Sequence, residues 1–529
     1  MSCTVASVIG PRRTLLLLRG GMSLTRRTVL GLSAGVALTG CGIDLRPGQT
    51  GELMRSEVPL PEPYAVPLPI PPVKRPVRTV DGVDQYQVVQ RAGTVEILPG
   101  LRTPILGYDG IFPGPTFDVR SGRAVVVEHV NQLTVPTVVH LHGGHTSAAS
   151  DGWPIDFVLP ERGGHGPHGE HGSGDVSQGR RRHSYPNTQR AATLWYHDHR
   201  MDFTAPQVYR GLAGMYLVRD DEEAARPLPH GVREIPLVIT DRAFAADGSF
   251  RYPALDTTLQ QTPGVDDDFM EGVLGDVILV NGAPWPVLEV DAARYRFRIL
   301  NASNARRYQL ALDPDRAELV QIGSDGGLLG APVEHSSLVI APAERFDVLL
   351  DFSAYDVGTE VTLVNLLGGG DPTNRVMRFK VARSAADDSS VPARLSTYAA
   401  VPEPNGVVRR QWRFERGDVG NHKGWLINGK PFDPKRMDAK PRLGEWEIWS
   451  FVSDVHHPVH VHLAQFQVVR RGGKEPTAYD AGWKDTVDLR PSEVVEVLVR
   501  FTEHKGKYLI HCHNLEHEDM AMMAAFETV

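Results

Sequence analysis

Four histidine-rich stretches carry side chains suited to binding a transition metal: HLHG at 140–143, WYHDH at 195–199, HPVHVH at 457–462 and HCHNLEHEDMAM at 511–522. The last is the densest. It sets Cys512 between His511 and His513 and follows them with His517 and Met522. On an extended strand successive side chains point to opposite faces, so His511 and His513 project one way and Cys512 the other, and one strand can serve two metal centres. A thiolate, two imidazoles and a weak axial thioether are the ligand set of an electron-transfer copper, whose potential the sulfur ligands tune. Cys512, His517 and Met522 supply three of those four groups. Buried Met and Cys ordinarily fill core gaps, but a core of that kind does not explain matching histidine clusters elsewhere in the chain.

The alternation recurs. His140 and His142 share a face around Leu141, and His197 and His199 repeat the spacing; one His-x-His pair carries little weight, whereas its repetition does. In HPVHVH, His460 and His462 share a face, and Pro458, which lacks an N–H, is expected to break the strand ahead of them and let His457 aim elsewhere. His457 is thereby a candidate for the fourth ligand of the thiolate site. Residues 161–183, ERGGHGPHGEHGSGDVSQGRRRH, show no apolar periodicity and read as a flexible surface loop, with His165, His168, His171 and His183 able to hold copper loosely. The middle third, 227–396, has no histidine cluster; His335 there reads as structural, and the segment as a spacer between the outer two.

These residues need a rigid scaffold. From about residue 78 the chain runs in short segments rich in Val, Ile, Tyr and Phe, such as VVVEHVNQL, RYRFRILNAS, FDVLLDF and EVVEVLVRF, separated by Gly, Pro, Asn and Asp. That spacing predicts an all-β sandwich architecture without long amphipathic helices. YDGIFPGPTF at 108–117, LVNGAPWPVLEV at 279–290 and LINGKPFDP at 426–434 each bring an apolar strand into a Gly/Pro turn ahead of another β-rich run. Three copies of one β module is the economical reading, with domains at 78–228, 229–396 and 397–529. A formal charge of -8 gives no encouragement to a nucleic-acid partner.

Residues 1–45 read as an export signal. SLTRRTVLGLSAGVALTGC at 23–41 joins Arg26 and Arg27 to an apolar run too short for a permanent span and then to small residues. It resembles a twin-arginine signal, and Leu38-Thr39-Gly40-Cys41 resembles a bacterial lipobox, so the expectation is a protein outside the cytoplasm, lipid-anchored through Cys41 or secreted. Met22 is the expected true start. Residues 46–77, rich in proline, are expected to form an extended tether. Cys3 and Cys41 lie in the leader, which leaves Cys512 as the single thiol of the exported body, without a disulfide partner. Metal ligation gives such a thiol a reason to be there.

Taken together, the four clusters resemble the copper signatures of multicopper oxidases. WYHDHRMDFTAPQVYRGLAGMYLV, LVNGAPWPVLEV, YRFRILNASN, IGSDGGLL and APAERFDVLLDF are similar to the branch containing spore-coat laccase, bilirubin oxidase and phenoxazinone synthase, and the resemblance covers about residues 75–529. It implies three consecutive cupredoxin domains, with ligands in the first and third, and four coppers per chain. On this pattern His457, Cys512, His517 and Met522 hold a mononuclear blue copper. His140 and His460 hold the single normal copper of a trinuclear cluster, and His142, His197, His199, His462, His511 and His513 hold its paired coppers. The implied reaction couples one-electron oxidation of small aromatic reductants to reduction of dioxygen to water. Met522, where high-potential relatives carry Leu or Phe, implies a lower-potential site.

Asp151 and Glu518 match carboxylates that the branch places near the dioxygen path, where they would move protons; Asp151-Gly152 alone also suits a solvated turn. Two rivals stand beside this reading. A cuprous oxidase is one, although the chain has 11 Met and no Met-rich insert. A non-enzymatic cupredoxin-fold protein is the other, although such proteins lack the ligands retained here. Oligomeric state is not legible.

Overall fold

Strands dominate the computed structural model, which describes residues 49–162, 174–419 and 422–529. The fold is all-β, as the β-branched and aromatic runs predict, and the longest α-helix among the described residues, Thr204–Tyr209, has 6 residues. Alternation builds the sheets: along Val83–Val95, Asp84, Tyr86, Val88 and Gln90 turn inward while their neighbours face outward.

In chain order, the first face-to-face sheets include Val83–Val95 and Val125–Asn131 on one side and Val139–His142, Ala192–Asp198 and Ala213–Arg219 on the other. They close on one apolar cluster containing Val88, Val127, Leu141, Leu194 and Tyr216. A second pair encloses Ile278, Phe297, Val348, Leu363 and Phe379. In the last pair a five-stranded sheet with Trp446–Ser453 at its centre faces a four-stranded sheet holding His457–Val461 and Gly506–Cys512, around Trp412, Trp449, Val459, Ile510 and Phe526. Strands buried on both faces explain the continuous apolar runs.

Two expectations need correction. The described part of the proline-rich stretch, from residue 49, is no free tether: Glu52–Met54 pairs in parallel with Val273–Gly275, Pro67 bridges to Val287 and Val73 to Thr116, and Met54 and Leu68 are buried. Apolar residues set among the prolines anchor it. Removing residues 49–72 should therefore lower the melting temperature while sparing the metal centres; an unchanged melting temperature would show that these contacts contribute nothing.

The supposed loop is partly strand. Arg180–Tyr185 pairs antiparallel with Val125–Asn131, and His183 is buried 5.2 Å from His129, ring to ring. Its charge hid the strand: Arg182 meets Glu128 on the outer face at 3.0 Å, while Arg181 is buried by pairing with Asp175 at 2.7 Å. The export signal at 1–45, with Cys41, and His165, His168 and His171 lie outside the described residues.

Candidate metal centres

Gly506–Cys512 runs between His457–Val461 and Met523–Thr528, with Val459 opposite Cys512 and His460 opposite His511. The two faces of this sheet therefore carry different chemistry. Val459, Val461, Ile510 and Cys512 turn into the sandwich core, whereas His460 and His511 turn outward. His457 shares the parity of Val459, so plain alternation brings it to the Cys512 side. Pro458 does not break the strand as expected. His457–Val461 runs through it, with Pro458 opposite Asp488 and its carbonyl accepting the His513 N–H at 2.6 Å. The missing N–H is tolerated because the ladder to the Cys512 strand begins only at Val459.

Cys512 Sγ lies 3.4 Å from His457 Nδ1 and 3.6 Å from His517 Nδ1, and the two nitrogens are 3.1 Å apart. The far nitrogens carry the protons: His457 Nε2 donates to Asp454 at 2.9 Å and His517 Nε2 to the Glu271 carbonyl at 3.2 Å. Both Nδ1 atoms are then bare lone pairs aimed at one another and at sulfur, an arrangement that a cation stabilises and that is repulsive without one. Trp425 stacks on His517 with ring centroids 3.7 Å apart and fixes the imidazole plane. Burial raises the Cys512 thiol well above its ordinary pKa, so its thiolate depends on a bound cation. Met522 is buried in the same apolar cluster, held by its carbonyl accepting the Cys512 N–H at 3.2 Å.

On the opposite face eight imidazoles meet, His140, His142, His197 and His199 from the first sheet pair and His460, His462, His511 and His513 from the last. Their ring nitrogens converge within 4.8 Å in three groups: His140, His142 and His460; His142, His197 and His513; His199, His462 and His511. Register prepares this, since His197 sits opposite His140. The outer nitrogens are anchored. His140 Nδ1 donates to the Asp151 carbonyl at 2.5 Å, His197 Nδ1 to the Asp198 carbonyl at 2.8 Å and His460 Nδ1 to the Asp485 carbonyl at 2.9 Å. The inner Nε2 atoms of these three rings are buried without a hydrogen-bond partner. Buried orphan lone pairs are costly, and metal ions satisfy them. Burial also favours neutral, ligating imidazole, lowering His197 to about 3 and His199 to about 4 and holding His140, His142, His462 and His513 well below their ordinary value. The donor set fits copper at both places.

Asp151 is not a solvated turn residue. It ends the short helix Ala148–Asp151, is 2% exposed, and accepts the His462 Nδ1–H at 2.7 Å. Gly152, at φ 92°, makes this turn: a Cβ there would sit 2.5 Å from the Val139 carbonyl, against the strand bearing His140. Burial raises the Asp151 carboxyl well above its usual range. Glu518 lies 3.1 Å from His511 Nδ1 and 3.6 Å from His199 Nδ1. Burial opposes its ionisation, but those imidazoles outweigh burial and hold it at about 2.

Sequence reading missed a buried charge network. Asp485 Oδ1 accepts from His142 Nε2 at 3.0 Å and from Arg345 Nη1 at 2.7 Å, and Lys484 Nζ sits 3.2 Å from Asp325 and 3.1 Å from Glu344. Arg345, Asp325 and Glu344 come from the middle sheets, so that region braces the histidine cluster as well as spacing the outer sheets. Gly143 explains its place in HLHG, because a Cβ there would meet Asp485 Oδ2 at 2.7 Å. The available signal was Lys484-Asp485 set within the apolar WKDTVDL run. Arg345→Leu removes the only cation paired with buried Asp485 among the described residues, leaving it His142 and Thr486 as side-chain partners, and should cost about 3–5 kcal/mol of stability and reduce copper retained by the cluster. Denaturant unfolding with metal analysis checks both; wild-type values would remove Arg345 from the bracing role.

A cupredoxin-type β architecture with a Cys-His centre back to back with a histidine cluster defines a copper oxidoreductase. Three sequence profiles described as multicopper oxidase match residues 90–160 with 175–223, 252–364 and 403–529. A laccase of Bacillus stratosphericus is 37% identical over 511 residues, covering 87% of this chain and 98% of that protein. The bilirubin oxidase of Albifimbria verrucaria is 39% identical over 498 residues, covering 88% and 81%. A solved multi-copper oxidase from Pediococcus acidilactici matches with a TM-score of 0.77 at 30% identity, covering 90% of this chain and 93% of its own. The chain belongs to the multicopper oxidase family. It is a copper enzyme with dioxygen as electron acceptor, and the histidine clusters agree with the family's complement of four coppers.

Proposed function

We propose that the protein is a laccase-like oxidase of phenols, aromatic amines or bilirubin-like compounds. The observation that carries this reading is a cavity of about 940 Å³ lined by Asp519, two residues past His517, and by Met270, next to Glu271, whose carbonyl meets His517 Nε2 at 3.2 Å. Met270, Phe432 and Met520 offer it apolar and polarizable faces for an aromatic ring, and Arg416 and Lys423, paired with Glu271 at 2.8 Å and Asp418 at 2.6 Å, set charge at its rim. The wall is continuous with the ligand supports. The Met270 carbonyl accepts the Trp425 Nε1–H at 3.0 Å, and Trp425 stacks on His517.

On this reading His457, Cys512, His517 and Met522 hold the blue copper; His140 and His460 hold the single copper, and His142, His197, His199, His462, His511 and His513 the paired ones. Bound copper supplies one-electron acceptance at the first site and four-electron reduction of dioxygen at the second. The chain supplies the rest. Cys512 and its neighbours His511 and His513 join the two centres through a few bonds of backbone. Asp151 holds a proton at its carboxyl beside the outer edge of His462, and Glu518 offers an ionised carboxylate beside those of His511 and His199. The same reading takes residues 78–228, 229–396 and 397–529 as the three domains, and takes the mature protein to lie outside the cytoplasm, lipid-anchored through Cys41 or secreted.

A second reading, oxidation of cuprous ion, draws support from Met201, Met270 and Met520 lining that cavity with Asp202 and Asp267, since thioethers suit a soft cation. Steady-state kinetics on 2,6-dimethoxyphenol and on cuprous ion separate the two. The aromatic reading expects the higher kcat/KM for the phenol and a raised phenol KM in Phe432→Ala. A saturable cuprous reaction with the higher kcat/KM, insensitive to Phe432→Ala, would overturn it.

A further inference from the structure

A second cavity, of about 290 Å³, opens near the end of the strand Val494–Arg500 and shares no lining residue with the larger cavity. Its walls are unusual for a surface hollow. Trp446 and Trp483, both half-buried, hold their indoles nearly parallel, at 15° with centroids 6.5 Å apart, and Tyr398 meets Trp483 edge-on at 87° and 6.4 Å. The Arg500 guanidinium lies 4.5 Å over the Trp446 ring and, among the described residues, has no carboxylate in ion-pair range. Glu503, the acid in the same cavity, accepts the Thr188 hydroxyl at 2.8 Å. The floor is already satisfied: Gln189 and Gln465 both donate to the Gly143 carbonyl, at 2.7 and 3.1 Å, and His145 Nε2 pairs with Gln465 Oε1 at 2.7 Å.

Large aromatic faces left around an open hollow expose apolar area that proteins normally cover, and such patches mark binding sites. Flat π faces together with an uncommitted guanidinium recognise a planar ring bearing an anionic group. A satisfied floor adds shape without competing polar demands. We propose that this cavity binds an aromatic carboxylate or sulfonate, its ring against Trp483 and Trp446 and its anionic group on Arg500, as a site separate from the larger cavity.

Calorimetric titration of the copper-loaded enzyme with naphthalene-2-sulfonate, a probe that resists one-electron oxidation, tests this. The expected result is a saturable site weakened about tenfold by Trp483→Ala, as loss of roughly 1.4 kcal/mol implies, and told from any binding in the other cavity by its indifference to Phe432→Ala. Arg500→Gln should weaken the sulfonate by a similar factor and abolish its advantage over the neutral naphthalene-2-sulfonamide, and Phe432→Ala, in the other cavity, should leave binding unchanged. The blue absorption band reports folding in each variant, and Arg500→Gln, an exposed change, carries the test if Trp483→Ala does not fold. No saturable binding, wild-type affinity in Arg500→Gln, or loss of binding in Phe432→Ala would overturn the proposal.

Discussion

Cys512→Ser is expected to erase the blue absorption band and all measurable oxidation of phenols, while copper at the histidine cluster and its near-ultraviolet absorption persist. The selectivity follows from strand alternation. Cys512 turns into the sandwich core with His457, whereas His460 and His511 turn to the other face of the same sheet. Serine offers a hard oxygen where a soft thiolate stood, so His457, His517 and Met522 lose the sulfur that defines the site. The imidazole cluster keeps its anchors on Asp151, Asp198 and Asp485, none of which touches Cys512. Copper analysis and absorption spectra read the outcome directly. A surviving blue band, or phenol turnover near wild type, would contradict the assignment of Cys512.

Asp151→Asn and Glu518→Gln should each retain copper and blue colour yet lower kcat by about 10²–10⁴, the range expected for loss of a general acid or base. Each amide keeps an oxygen for its neighbour. His462 Nδ1 can still donate at position 151, and at position 518 an amide oxygen remains beside His511 Nδ1, which itself donates to the Cys512 carbonyl. What is lost is the capacity to hold and release a proton. The two carboxyls are tuned apart, since burial raises Asp151 while the His199 and His511 rings hold Glu518 at about 2. Turnover at wild-type rate in both variants, with copper retained, would remove them from the proton path; loss of copper in either would reduce that residue to a structural prop.

The histidines and the cysteine that the fold brings together were legible in sequence because their spacing is local. His-x-His and His-Cys-His report strand parity directly, and parity alone separates Cys512 from its neighbours. Pro458 was misread for a related reason. Its missing N–H is a local fact, but whether that N–H was needed depends on where the neighbouring ladder begins, which is Val459. His183 was hidden by the arginines around it, whose partners Glu128 and Asp175 make a charged stretch compatible with an inward-facing strand. Arg345 and Asp485 lie 140 positions apart, and no periodicity in either segment announces that they meet. The docking of residues 49–72 depends on edges offered by Val273–Gly275 and Val287, far along the sequence.

The central claim is that two distinct copper centres share the strand Gly506–Cys512. Copper quantitation with an absorption spectrum on protein expressed with copper tests it most directly. The account predicts four coppers per chain, a strong blue thiolate band and a near-ultraviolet shoulder from the paired coppers. One copper or none, with the shoulder absent, would show that the imidazole cluster does not assemble and would end the oxidase assignment.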